Sequence, residues 1–178
     1  CWKRDGHGNV DLVKSLRESC DVYYYELSQK VGIEKIAEVA RILGLGQSFD
    51  IEMSAVTSGI VPDKIWKQKA RSREWVVGDT VNSSIGQGYV LSSPLQLAVM
   101  IARIATGNEI LPKLIKSVNG VEKEKIPDQI NLNENNLNLI RKALFEVTNH
   151  KRGTAYHSRV LDKNCLLYTS PSPRDLST

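Results

Sequence analysis

Residues 92–107, SSPLQLAVMIARIATG, carry the strongest structural signal in the chain. The Ser92-Ser93 pair supplies an N-cap, because a serine oxygen can accept from the unpaired N–H groups of a first helical turn. Pro94 suits that first turn, where its missing N–H costs nothing, and Gly107 is a typical stop. An apolar face recurs at helical spacing, and it consists of Leu95, Ala98, Val99, Ala102 and Ala105 or Thr106. The stretch therefore predicts a helix from Pro94 whose small alanines allow close packing.

Four other helices are predicted from apolar periodicity on either side of this stretch. A short one covers residues 11–18, a second begins after Asp21 and stops at Gly32, and a third covers 33–43 and ends at Gly44. The last begins at Asn133, and its expected buried face consists of Leu137, Ile140, Leu144 and Val147. Most of the chain is thus expected to be helical.

Two segments lack a helical period. Asn119-Gly120 is a strong signal for a tight hairpin turn, so residues 110–118 and 121–126 are expected to form a two-stranded ribbon. Between residues 45 and 82 the pattern fades around a basic run, KIWKQKARSREW at 64–75. That run is consistent with an anion site, but charge runs are usually solvated, which favours a surface loop pinned by Trp66 and Trp75.

The bulk composition is that of a soluble globular domain. The 178 residues are 41% hydrophobic, and a net charge of +4 is too small to indicate a nucleic-acid partner. The longest apolar segment, 95–105, is far shorter than the roughly 20 residues that span a bilayer. Three widely spaced cysteines are not a disulfide framework. Because the chain starts at Cys1 rather than Met, we interpret it as an internal piece of a longer protein.

Residues 17–27, RESCDVYYYEL, contain a Ser19-Cys20-Asp21 triplet just before a predicted helix. One interpretation is purely local, since serine and aspartate are both good N-cap residues. The other is that the triplet is a fragment of an active site, in which a serine hydroxyl transfers protons.

Four segments in a fixed order favour the second interpretation: RESCDVYYYEL, PDKIWKQK, GDTVNSSIGQGYVLSSPLQLAVMIARIATG and KRGTAY. Over residues 1 to 157 the chain resembles the transpeptidase domain of class B high-molecular-mass penicillin-binding proteins, particularly the penicillin-binding protein 2 subfamily. The resemblance implies a mixed α/β, serine β-lactamase/transpeptidase-like fold. This piece of it would be mainly α-helical with a short β-ribbon, lacking most of the central sheet. We expect residues 1–161 to be a partial transpeptidase domain and 162–178 a non-homologous, disordered tail.

The family works through three motifs, SxxK, SxN and KTG. Only the middle one is visible here, so Ser19 and Asp21 are the expected catalytic residues. Ser19 would relay a proton between the motif lysine and the leaving amine, and Asp21 replaces the Asn of many relatives. Lys151–Ala155, KRGTA, imitates the KTG motif, but it directly ends a predicted helix and is interpreted as a turn. With the nucleophilic serine outside it, the chain itself is expected to be inactive.

A second constellation consists of Cys1, His7 and Cys20. Thiolate and imidazole are the ligands that zinc prefers, and the resemblance implies a structural zinc beside the SxN motif in some members. The alternative is that Cys20 is only a small buried residue. No cofactor is expected for the chemistry itself.

The resemblance implies that the parent is a peptidoglycan D,D-transpeptidase, which cross-links stem peptides by serine acyl transfer and binds β-lactams. It would act on the periplasmic face of the inner membrane, held by an N-terminal anchor, with other cell-elongation proteins as partners. Two alternatives remain: a non-catalytic β-lactam sensor or degenerate scaffold of the same fold, and a generic helical interaction domain.

Overall fold

The computed structural model describes residues 1–51, 57–115, 117–122 and 126–159, and in these ranges it is mainly helical. The elements in chain order are α1 (Leu12–Arg17), α2 (Asp21–Val31), α3 (Ile33–Ile42), α4 (Lys64–Arg71), α5 (Val77–Ser83), α6 (Pro94–Thr106), β1 (Ser117–Val118), β2 (Val121–Glu122), α7 (Glu134–Asn149) and a 3-10 turn at Tyr156–Ser158. None of the helices in these ranges is long and apolar enough to cross a membrane.

These elements belong to two compact units. The terminal unit comprises Cys1–Tyr24 together with the chain from Glu134 onward, and the central unit comprises Tyr25–Asn133. In the terminal unit, α1 packs against α7. Helix α2 begins in the terminal unit and ends in the central one.

Helix α6 confirms the predicted helix from Pro94. The Ser93 side chain accepts from the Gln96 N–H at 3.2 Å, and Gln96 Oε1 accepts from the Ser93 N–H at 3.1 Å, which makes a reciprocal capping box. At the other end, Gly107 adopts φ 74°, a left-handed conformation that glycine tolerates.

The predicted buried face of α6 is only partly confirmed, because Val99 is buried and Leu95 and Ala102 are half-buried. Its buried side chains are Gln96, Val99 and Arg103, while Ala98 and Ala105 are exposed. Gln96 donates to the Gln47 and Ser58 carbonyls at 2.7 Å. Arg103 donates to the Ile42 and Ile110 carbonyls, and burial lowers its pKa. A hydropathy pattern misses Gln96 and Arg103 because it assigns polar side chains to solvent, whereas here both donate to backbone carbonyls. Of these two side chains, Arg103 Nη2 alone is buried without a partner among the described residues.

Val99 also packs with Phe49 and Ile51 in a small apolar cluster, and Leu95 covers it partly. A Cβ on Gly44 would lie 2.9 Å from a Val99 methyl, so the chain at the end of α3 approaches this cluster closely.

Residues 64–71 form helix α4 rather than the predicted loop, although most of the basic run is exposed, as predicted. Asp63 caps α4 by accepting from the Trp66 N–H at 2.7 Å. Lys67 is buried, donates to Asp79 at 2.5 Å, and lies 5.9 and 5.7 Å from the Trp75 and Tyr89 ring centres. A charge run predicts a solvated segment. The burial of Lys67 depends on a carboxylate from a later segment, which local composition does not reveal.

The predicted turn at Asn119-Gly120 is confirmed, with positive φ at both residues as a type I′ hairpin requires. Among the described residues its strands are Ser117–Val118 and Val121–Glu122, which pair with each other. Residues 110–115 are described and are not in a strand, while 116 and 123–125 lie outside the described residues.

Helix α7 begins directly after Asn133, as predicted. Leu137 is buried, whereas the other three residues of the expected face are half-buried and share it with buried Ala143 and Thr148. The predicted tail at 162–178, with Cys165, lies outside the described residues.

Candidate active site around Ser19

Ser19 ends α1 rather than capping α2. The Cys20 N–H donates to the Ser15 carbonyl at 2.9 Å and the Ser19 N–H to the Leu16 carbonyl at 3.3 Å. With Glu18 as the C-cap, these are the two hydrogen bonds of a Schellman motif. Ser19 therefore occupies the position after the C-cap that glycine usually takes.

The backbone of Ser19 is strained. Its φ is 51°, in the left-handed region that costs a side-chain-bearing residue roughly 1–2 kcal/mol. Such strain is common at functional sites, so the contacts of the Ser19 side chain decide whether it has a function here. The residue is exposed between buried Glu18 and buried Cys20, so this turn presents its hydroxyl outward.

The Ser19 hydroxyl lies 3.2 Å from the hydroxyl of Thr154, which follows α7. The Thr154 N–H donates to the Arg17 carbonyl at 3.1 Å, so the backbone also joins the two segments. The 153–155 turn is tightly placed, because a Cβ on Gly153 would lie 2.2 Å from the Val147 carbonyl oxygen. The segment that imitates a KTG motif is thus a turn packed against the serine, which agrees with its predicted role as a turn.

An ion cluster fixes the residues before Ser19. Arg17 donates to Glu146 of α7 at 2.7 Å and to Glu18 at 3.1 Å, and Arg152 reaches the same Glu18 oxygen at 3.1 Å. Burial alone would raise the pKa of Glu18, but the hydrogen bond from Arg17 and the charges of Arg152 and Lys14 outweigh it and hold that pKa below its ordinary value. Glu18 is therefore a buried carboxylate that stays charged and ties α1 to the end of α7.

Asp21 is the first residue of α2 and is partly exposed. A carboxylate in a first helical turn lies near the positive end of the helix dipole, where a negative charge stabilises the helix. Ser19 and Asp21 flank buried Cys20, so the triplet sits at one junction between two helices.

The structure brings together Cys1, His7 and Cys20, whose possible ligand atoms all lie within 4.8 Å of one another. Cys1 Sγ is 3.4 Å from His7 Nδ1, and His7 and Cys20 are both buried. His7 Nε2 is buried and has no hydrogen-bond partner among the described residues. The predicted ligand residues therefore converge directly beside Ser19 in the chain.

The loop that carries His7 is held by two features. Gly6 and Gly8 adopt φ of 71° and 64° on either side of the histidine, which lets the chain turn there. Lys14 of α1 donates to the carbonyls of His7 and Asn9 at 2.6 and 2.7 Å.

Sequence reasoning missed Thr154 and the ion cluster of Arg17, Glu18, Glu146 and Arg152. The adjacent Arg-Glu pair before the triplet was a signal, but its partners are more than a hundred residues away. The RGTA-like turn was recognised without any role for its threonine.

The chain is similar to known proteins in sequence and in fold. The family model for the penicillin binding protein transpeptidase domain matches residues 1–164. The chain is 32% identical over 160 residues to the peptidoglycan D,D-transpeptidase MrdA of Haemophilus influenzae, covering 86% of this chain and 25% of that protein. The chain thus spans about a quarter of the curated relatives that it matches.

Solved structures agree with the predicted fold class. Penicillin-binding protein 2 of Helicobacter pylori, solved in complex with MreC, is similar at a TM-score of 0.81 and 39% identity, over 91% of this chain and 30% of that one. Penicillin-binding protein 2 of Pseudomonas aeruginosa, solved with WCK 5153, is similar at a TM-score of 0.81 and 32% identity. The match covers 88% of this chain and 36% of that one. The chain is a mainly helical part of that fold, as expected.

Proposed function

This chain belongs to the family of penicillin-binding protein transpeptidase domains, and from that premise we propose that its full-length protein is a peptidoglycan D,D-transpeptidase. The reaction would transfer the acyl group of a stem peptide to an enzyme serine and then to an amine of a neighbouring strand. The observation that carries this proposal is Ser19, an exposed hydroxyl held at a strained glycine position within the SxN-like triplet.

Ser19 would act as a proton relay. A hydroxyl can accept one proton while donating another, which suits transfer between a lysine and a leaving amine. Asp21 can pair with a cation as a carboxylate, but it cannot donate to a substrate carbonyl as an Asn amide does. We therefore assign Asp21 an electrostatic role toward the motif lysine rather than a role in binding the peptide.

The nucleophile is the part of the mechanism that this chain does not supply. The 178 residues contain no Ser-x-x-Lys sequence and no Lys-Thr-Gly sequence. The 178-residue chain should therefore show no stable, stoichiometric labelling by a fluorescent penicillin, whereas the full-length protein should be labelled. Labelling of the 178-residue chain at any residue would contradict the motif assignment.

The role of Ser19 is tested in the full-length protein. Ser19→Ala should lower the rate of transpeptidation by roughly 10²–10⁴-fold, the range for loss of a positioned proton-transfer group. Purified variant and wild type are compared on stem-peptide substrates, with thermal unfolding as the folding control. If the full-length protein binds penicillin but does not cross-link stem peptides, it is a sensor or scaffold of the same fold. If Ser19→Ala cross-links at an unaltered rate, Ser19 has no part in the mechanism.

We further propose that Cys1, His7 and Cys20 bind a structural zinc. Zinc–sulfur and zinc–nitrogen bonds of about 2.3 and 2.0 Å in a tetrahedral site separate the two ligands by about 3.5 Å. The 3.4 Å between Cys1 Sγ and His7 Nδ1 fits that edge. A zinc ion would hold the residues around Ser19 in place without taking part in the chemistry, and a fourth ligand is expected from outside this trio.

Metal analysis of the purified full-length protein tests the site. One equivalent of zinc is expected, with a lower melting temperature in chelator, because a metal bound only by the folded state stabilises it. His7→Ala should lower zinc content and stability together. His157→Ala is the matched control, since His157 is exposed and outside the cluster. If the purified protein contains no zinc and chelator leaves its melting temperature unchanged, the zinc site is ruled out.

Location and partners follow from the same assignment. We propose that the full-length protein acts on the periplasmic face of the inner membrane, held by an anchor outside these residues. The Helicobacter pylori relative was solved with MreC, which supports a cell-elongation protein as a partner. Its substrates would be stem peptides. Penicillins would acylate the nucleophilic serine that the stem peptides acylate, which lies outside these residues.

A further inference from the structure

The turn after α7 contributes a group to the site that the three family motifs do not include. Thr154 is exposed, and the hydrogen bond of its side chain in the described structure is to Ser19. Its backbone N–H is engaged separately with the Arg17 carbonyl, so the hydroxyl is not needed to hold the turn.

Three contacts fix Thr154 relative to Ser19. The Ala155 N–H donates to the Val147 carbonyl at 3.1 Å, and Gly153 is packed against the backbone at the end of α7. On the other side of Ser19, buried Glu18 pairs with Arg152, which precedes that glycine. The threonine is therefore presented by a turn that is anchored at several points on α1 and α7.

We propose that Thr154 is a positioning residue for Ser19: its hydroxyl donates to Ser19 Oγ and leaves the Ser19 proton directed into the relay. A hydroxyl has one donor and two acceptor sites. If Thr154 fills one acceptor site, Ser19 keeps its own proton to give and one site to receive another. The separation of 3.2 Å is longer than the usual distance of about 2.7–2.8 Å between hydroxyls, so the bond has room to shorten during proton transfer.

This inference rests on the proposed function, because it assigns a partner to the proposed relay serine. It also explains why the strained conformation of Ser19 is useful, since the left-handed turn brings its hydroxyl beside the turn after α7.

The test is a mutant cycle in the full-length protein, with the limiting rate of acylation by a fluorescent penicillin as the readout. Thr154→Val removes the hydroxyl at nearly constant volume and should lower the limiting rate about tenfold, with little change in the half-saturating penicillin concentration. Thr154→Ser keeps the hydroxyl and should restore most of the rate. Thr106→Val is the control, since that exposed threonine bonds locally at the end of α6.

The second arm separates positioning from folding. In a Ser19→Ala background, Thr154→Val should cause no further loss, because the hydroxyl that it positions is gone. If Thr154→Val is acylated at the wild-type rate, this inference is wrong. The proposed role of Ser19 would still stand if Ser19→Ala is acylated slowly. A loss that persists in the Ser19→Ala background would also overturn it, since the effect would then be structural. If Ser19→Ala itself reacted normally, this inference and the relay role of Ser19 would fail together, while the transpeptidase assignment would stand.

Discussion

Two helix ends in this chain, one in each unit, finish on a serine in the left-handed region. Ser19 follows α1 at φ 51°, and Ser72 follows α4 at φ 52°. Both are exposed, and both donate their backbone N–H to the helix they end. Their side chains differ: Ser19 Oγ contacts Thr154, whereas Ser72 has no side-chain hydrogen bond within the described part of the chain. Backbone strain alone therefore does not identify a functional residue, and the surroundings of the side chain decide.

The surroundings differ in how much holds each serine. Around Ser19 the Glu18 ion cluster, the Gly153 turn and the Cys1–His7–Cys20 trio converge from segments far apart in sequence. After Ser72 the chain continues into Arg73 and Glu74, which are exposed. The first helix end is over-determined by tertiary contacts and the second is an ordinary chain reversal.

The largest expected difference is in activity. Ser19→Gly should lower transpeptidation by the full-length protein roughly 10²–10⁴-fold, because glycine keeps the turn and removes the hydroxyl. Ser72→Gly should leave the rate unchanged. Both variants are assayed on stem-peptide substrates at matched concentrations of folded protein. Equal losses in the two variants would mean that the loss does not come specifically from the Ser19 hydroxyl.

A smaller effect is expected from crowding the turn that faces Ser19. Gly153→Ala should lower the free energy of unfolding by about 1–3 kcal/mol, because its Cβ would meet the Val147 carbonyl oxygen at 2.2 Å. Gly78→Ala is the control, since a Cβ there meets nothing within 4 Å and the residue lies within α5. It should be neutral or stabilising. Denaturant unfolding of both variants measures the difference. An unchanged free energy of unfolding in Gly153→Ala would show that the turn shifts to accommodate the added methyl group.

The charge of Glu18 should make the Ser19 region sensitive to acid. Its pKa is lower in the folded protein than in the unfolded chain, so its stabilisation is present above a pH of about 4.5 and is lost as the pH falls through the folded pKa. Wild type should therefore lose a few degrees more of melting temperature between pH 6 and about pH 3.5 than Glu18→Gln does. Glu26→Gln, at an exposed position of α2, should behave like wild type. A Glu18→Gln protein as acid-sensitive as wild type would contradict this.

The smallest effect returns to the two serines. Glycine relieves roughly 1–2 kcal/mol of left-handed strain but loses more chain entropy on folding, so each Ser→Gly change should stabilise by about 0.5–1 kcal/mol. Ser19→Gly and Ser72→Gly should thus agree in stability while they differ in activity. Thermal unfolding checks this, and destabilisation by Ser19→Gly alone would show that the contact with Thr154 outweighs the strain.

The sequence by itself determined the parts that depend on neighbouring residues. The capping box and glycine stop of α6, the Asn119-Gly120 turn and the start of α7 all follow from chemistry within a few positions. The ordered segments were also enough to identify the family by resemblance, and the family model over residues 1–164 confirms it. The convergence of Cys1, His7 and Cys20 was likewise expected from residue type, although only the structure brings their ligand atoms together.

Tertiary structure alone decided what depends on distant partners. Buried Gln96, Arg103 and Lys67 look solvated in a hydropathy pattern, but in the fold they donate to carbonyls and a carboxylate from other segments. The same holds for Ser19 and Thr154, which are 135 positions apart and meet at 3.2 Å. A local pattern records what one segment prefers, whereas burial of a polar group, and the use of a strained serine, depend on what another segment brings to it.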